Sequence, residues 1–122
     1  MSKIVAGAML RWPAENYPDK IAIKFEGQTM TYRRINERIN RLANSLIELG
    51  FKRGDRVAAL LYNSPRAVET RFALMKAGLC MVPINIRQSE EENTYIINHS
   101  ESEAIIFDDE YLSKWDRMKD QC

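Results

Sequence analysis

The apolar positions of this chain follow two patterns, unbroken in some stretches and helically spaced in others. From Val57 to Tyr62 every residue is apolar, as expected of a strand with both faces buried in a parallel sheet. Asn63 and Ser64 then offer a cap, and Pro65 falls where a first helical residue has no intrahelical use for its N–H. The spacing of Val68, Phe72 and Met75 predicts a helix with Ala67 and Leu74 beside that stripe, Arg66, Glu69, Arg71 and Lys76 opposite it, and Gly78 as its end. Leu79 to Ile84 is a second unbroken apolar run, so strand, helix and strand form a right-handed crossover unit, the seed of a parallel sheet.

Around this unit the same reasoning places the other elements. Ile4 to Asn16 reads as a short amphipathic helix kinked or interrupted by Pro13, with a turn at Pro18-Asp19. Ile21–Phe25 and Thr29–Tyr32 flank Glu26-Gly27-Gln28 and predict an antiparallel hairpin. Thr31 caps a helix whose stripe is Ile35, Ile39, Leu42, Leu46 and Leu49, with Gly50 just beyond it. Ser89 and Glu92 form a capping-box pattern opening an acidic first turn, Glu90-Glu91-Glu92, on a helix whose apolar side is Tyr95 and Ile96. After the polar break His99–Ser102 come a third apolar run, Ala104–Phe107, and an amphipathic piece bearing Tyr111, Leu112, Trp115 and Met118. The expected fold class is α/β: a β-hairpin plus a strand-helix-strand-helix-strand parallel unit.

Composition narrows the partners. The 122 residues suffice for one domain with a real core, and the formal net charge of +1 leaves no single-sign field for nucleic acid or an anionic membrane. No stretch has the length of a transmembrane segment. The apolar run Ile4–Leu10 after Lys3 stops at Arg11 with no cleavage-like site, which argues against a secretory signal and for the cytoplasm. Cys80 is expected in a buried strand, and Cys122 is the last residue, so neither pairing nor metal-ligand spacing is suggested.

Candidate chemistry is sparse. The five glycines are scattered, and Gly50 and Gly54 precede a strand instead of following one, which favours turns over a phosphate cradle. A small flavodoxin-like nucleotide binder would need such a cradle. The single histidine, His99, rules out a cluster of several imidazoles and has no nucleophile elbow beside it. Arg34, Arg38 and Arg41 share a helix face that reads either as a phosphate stripe or, with Glu37 and Glu48 on the same helix, as a solvated face, the latter favoured. Arg87 follows the carboxyl end of a buried strand in Pro83-Ile84-Asn85-Ile86-Arg87, where a fixed cation suits a phosphate and an ordinary surface arginine is the alternative.

The order of these features resembles the N-terminal region of the AMP-forming acyl-CoA synthetases, the adenylate-forming superfamily. The residues that carry the resemblance are Thr31-Tyr32, Asn40, Leu42, Ala43, Gly50, Gly54–Ala58, Asn63, Ala77-Gly78, Val82–Asn85, Arg87, Tyr95-Ile96 and Ser100, spanning Leu10 to Phe107. The resemblance implies a two-step ligase: a carboxylic acid attacks the α-phosphate of ATP, with Mg²⁺ assisting, and the thiol of coenzyme A then displaces AMP from the acyl adenylate. Several family motifs have no match here: the phosphate loop with its lysine, the aromatic-Thr-Glu motif, the ribose-binding aspartate and the C-terminal lysine.

Residues 1–122 are therefore expected to be an N-terminal fragment of the adenylation domain, lacking the catalytic core and the C-terminal lid domain. With no catalytic or metal-binding residue and no cofactor of its own, such a fragment is expected to be inactive alone. Its foremost partner would be the rest of the same polypeptide, and exposed sheet edges would favour self-association. Trp115–Met118 falls within a helical pattern and Asp120-Gln121-Cys122 offers no stop signal, which agrees with this. The rival expectation is a free-standing binding or assembly module of the same ancestry. The resemblance carries over one site residue, Arg87, as a contact to the nucleotide part of coenzyme A.

Overall fold

A computed structural model describes residues 10–122, so the expected helix start at Ile4 lies outside the described residues. Helix α1 covers Arg11–Asn16. Pro13 stands in its first turn, where a missing N–H breaks no intrahelical bond, so it neither kinks nor interrupts the helix. Strands β1 (Ile21–Phe25) and β2 (Gln28–Thr31) pair antiparallel. Glu26 and Gly27 both take positive φ, 49° and 78°, the backbone of a tight two-residue hairpin turn.

Helix α2 covers Tyr32–Glu48, and the Thr31 hydroxyl accepts from the Arg34 N–H at 3.2 Å, the expected cap. Ile35, Ile39, Ala43 and Leu46 are its buried stripe. Leu49 departs from expectation: it lies beyond the last helical residue and is 76% exposed.

The second sheet has three parallel strands in the order β4 (Cys80–Pro83), β3 (Arg56–Leu60), β5 (Ala104–Phe107). Helices α3 (Pro65–Lys76) and α4 (Glu90–His99) make the connections, and α5 (Leu112–Met118) follows a 3₁₀ turn at Asp109–Tyr111. The unbroken apolar run of β3 is explained by its central place, since Val57 to Leu60 are all buried. Val57 packs with Leu46, Leu74, Leu79 and Met81 on the side of α2 and α3. Ala58 and Leu60 pack with Ile97 and Met118 on the side of α4 and α5. The sheet is thus sandwiched between two helical layers, with the hairpin set against α2 through Ala22, Ile23 and Met30.

Four expectations fail here, for one reason: apolar character does not tell centre from edge. The strand ends at Leu60, and Tyr62, taken as buried, is exposed. Cys80, taken as core, is exposed, because β4 is an outer strand and Cys80 its first residue. On α4 the buried residues are Asn93, Thr94 and Ile97, whereas Tyr95 is 65% exposed. Leu112 is exposed, so α5 is anchored by Met118 and Trp115. His99 is the last residue of α4 and not part of the break, stacked on Tyr95 at 5.4 Å.

Candidate functional site

In an open parallel sheet, ligands meet the loops at the carboxyl ends of the strands. Strand order here places the reversal between β3 and β5, so the loops after those strands flank the switch point. The Tyr62 N–H donates to Asp108 Oδ2 at 2.7 Å, and the Asp108 N–H donates to the Leu60 carbonyl at 3.3 Å. A small groove there is lined by Tyr62, Ser64, Arg66, Asp108, Asp109 and Glu110, three carboxylates against one guanidinium. Burial, followed by the charges of Glu110 and Asp108, pushes the Tyr111 phenol above its ordinary pKa. A backbone donor already bonded to a carboxylate, with further acids beside it, does not fit a polyphosphate.

The loop after β4 has the opposite character. The Ile84 N–H closes the last rung onto the Ala59 carbonyl at 2.9 Å, after which the chain turns away from the sheet. The Asn85 side chain accepts from the Arg87 N–H at 2.9 Å, and the Gln88 N–H donates to the Asn85 carbonyl at 3.1 Å, an Asx-type turn. Ser89 then caps α4, its hydroxyl accepting from the Glu92 N–H at 3.2 Å. Arg87 is exposed, and among the described residues its guanidinium has no carboxylate within salt-bridge distance. Of the acids that follow, Glu90 is engaged by Arg117 Nε at 2.6 Å. A forked cation without a carboxylate partner, on a hydrogen-bonded turn, fits a phosphate group.

Two polar residues that the hydrophobic pattern did not single out support this loop from behind. Asn93, 0% exposed, has one amide orientation that satisfies both of its ends, donating to the Asn85 carbonyl at 3.3 Å and accepting from Lys114 Nζ at 2.7 Å. Lys114 Nζ also donates to the Gln88 carbonyl at 3.0 Å and the Ile86 carbonyl at 3.4 Å. The only sequence cue was a capped α4 whose apolar side was too short to cover a sheet.

The arginine stripe of α2 divides. Arg34 lies near Glu37 at 3.8 Å and Arg41 is exposed, as a solvated face requires. Arg38 instead reaches across to α3 and grips Glu69 with Nε and, at 3.2 Å, with Nη2. Glu69, expected on the polar side, is 7% exposed, and its hydrogen bonds and charge raise the Arg38 pKa further above its ordinary value. This pair lies in the wall of a groove of about 420 Å³ between the hairpin and the start of α3. Gly50 and Gly54 have positive φ, and Gly54 donates to the Gly78 carbonyl at 2.8 Å, so they serve turns. Among the described residues, no three His, Cys, Asp or Glu side chains converge as metal ligands, and no helix is long and apolar enough to cross a membrane.

Comparison with known proteins gives a consistent result. A sequence model of the AMP-binding enzyme family matches residues 10–121. A 4-hydroxybutyrate–CoA ligase of Metallosphaera sedula is 35% identical over 105 residues, 86% of this chain and 19% of that protein. A crotonobetaine/carnitine–CoA ligase of Salmonella paratyphi A is 41% identical over 112 residues, 84% of this chain and 22% of that one. Among solved structures, the N-terminal domain of FACL13 from Mycobacterium tuberculosis superposes with a TM-score of 0.89 at 32% identity, over 96% of this chain and 30% of that one. A Mycobacterium tuberculosis fatty acyl CoA synthetase gives 0.87 at 33% identity, over 93% and 23% respectively. The chain therefore spans about a fifth of the length of the curated relatives it matches.

Proposed function

The chain belongs to the AMP-binding enzyme family, and on that premise we propose that it forms the N-terminal part of an ATP-dependent carboxylate–CoA ligase. In such a ligase a carboxylate oxygen attacks the α-phosphorus of ATP and pyrophosphate leaves. The coenzyme A thiol, losing its proton, then attacks the acyl carbon, and AMP leaves as the thioester forms. The observation that carries this reading is the superposition over 96% of the chain on an N-terminal domain, at a TM-score of 0.89 and 32% identity. ATP, coenzyme A, Mg²⁺ and a carboxylic acid are the reactants and cofactor of the whole ligase.

The 122 residues alone are not competent in this reading. Phosphoryl-transfer catalysis rests on groups that stabilise developing negative charge, and the loops after β3 and β5 present carboxylates instead. The remainder of the ligase is the first partner, and the outer edges of β4 and β5 give this portion a tendency to self-associate when alone. Two free, exposed cysteines, Cys80 and Cys122, suit a reducing compartment, and the cytoplasm is the proposed location.

Within the ligase, Arg87 contacts a phosphate of the coenzyme A nucleotide. Its exposure, its lack of a carboxylate partner among the described residues and its place on the turn after β4 support this role.

The test is the intact mass of the native protein, followed by ATP–pyrophosphate exchange with a panel of carboxylic acids. A mass several times 14.2 kDa with acid-dependent exchange is expected. A native mass equal to that of this chain, without exchange, would overturn the ligase reading and leave a free-standing module.

A further inference from the structure

We propose that Lys114 and Asn93 act as a clamp that sets the Asn85–Gln88 turn and so aims Arg87, making them positioning residues for the coenzyme A phosphate contact. This rests on the reading of Arg87 given above, but its structural half can be tested separately. The Lys114 ammonium has three donors and three acceptors around it, the carbonyls of Ile86 and Gln88 and the side-chain oxygen of Asn93. Those two carbonyls bracket Arg87. The fourth bond, from Asn93 to the Asn85 carbonyl, ties the start of the same turn to α4.

A helix used only to cover the sheet would place an apolar residue at the fully buried position 93, as it does at Ile97. An amide there is costly to bury unless both of its ends are bonded, and here they are. Lys114 comes from α5, so α5 serves the Arg87 turn as well as packing the core through Met118. Arg117 makes a second tie from α5 to the start of α4, at Glu90, and removes one negative charge from the vicinity of the turn.

The experiment compares amide hydrogen exchange and coenzyme A affinity in the intact ligase that carries this chain, as wild type and with Lys114→Met, Asn93→Asp or Arg87→Ala. Lys114→Met should raise exchange at Arg87 and Gln88 at least about tenfold while exchange at Val57–Leu60 is unchanged, and should weaken coenzyme A binding as much as Arg87→Ala does. Asn93→Asp keeps the acceptor for Lys114 and loses the donor to Asn85, so a smaller rise confined to the same turn is expected. Arg87→Ala should weaken binding without changing exchange. If exchange at Arg87 and Gln88 stays at wild-type values in both Lys114→Met and Asn93→Asp, the clamp is overturned. Arg87→Ala binding coenzyme A like wild type would overturn the Arg87 assignment, leaving the clamp to be decided by exchange alone. If Lys114→Met does not fold, Asn93→Asp decides it.

Discussion

The loops after β3 and β4 leave the same end of one parallel sheet from adjacent strands, yet they differ in charge and in how they are held. The first is closed by acid: Asp108 takes the Tyr62 N–H, and Asp109 and Glu110 stand near it. The second displays Arg87, and its backbone is bonded from behind by Lys114 and Asn93. Topology therefore nominates the end of the sheet, and side chains from α4, α5 and the β5 loop make its loops differ in charge and in backbone support.

The largest expected effect tests what the two loops share. Leu60, fully buried at the end of β3, packs in the cluster that holds Ile84, Ile97 and Met118. Leu60→Ala should cost about 2–5 kcal/mol in denaturant unfolding and loosen both loops together. Loosening of one loop alone would show that they do not share this foundation. Next, Asp108→Ala strands the Tyr62 N–H and should cost about 1 kcal/mol, with faster exchange at Tyr62 and none at Arg87. Arg87→Ala should change stability by less than about 0.5 kcal/mol, because the exposed guanidinium bonds nothing described within the chain. In the proposed ligase its effect is expected in coenzyme A binding.

The smallest effect is confined to alkaline pH. The Tyr111 phenol has a folded pKa above its unfolded value, so it stays protonated longer in the native state. Its contribution is whole below about pH 10 and is lost as pH rises through the folded pKa. Tyr111→Phe should flatten that alkaline loss of stability and leave neutral pH unaffected.

Much of this architecture was legible as pattern. The caps at Thr31 and Ser89, proline at the start of α3 and the unbroken run of β3 are local features whose physics is complete within a few residues. Cys80, Tyr62 and Tyr95 were misread because burial depends on which elements cover a strand or helix, and hydropathy carries no information on coverage. The polar pairs were hidden for a related reason: Arg38 meets Glu69 across 31 residues, and Lys114 meets the Gln88 carbonyl across 26. Arg87 could be nominated in advance, since its position after a predicted strand is itself a local fact. The bonds that Lys114 and Asn93 make to its turn could not, since nothing near Asn93 in the sequence announces Lys114.

The most direct test of the account is a coenzyme A titration of the intact ligase that carries this chain, followed through the backbone amide resonances of these residues. Binding should move Ile86, Arg87 and Gln88 while Tyr62, Asn63 and Ser64 stay in place, and Arg87→Ala should abolish the shifts. Shifts centred on Tyr62–Ser64, with Ile86–Gln88 unmoved, would contradict it and return the anion site to the loop after β3.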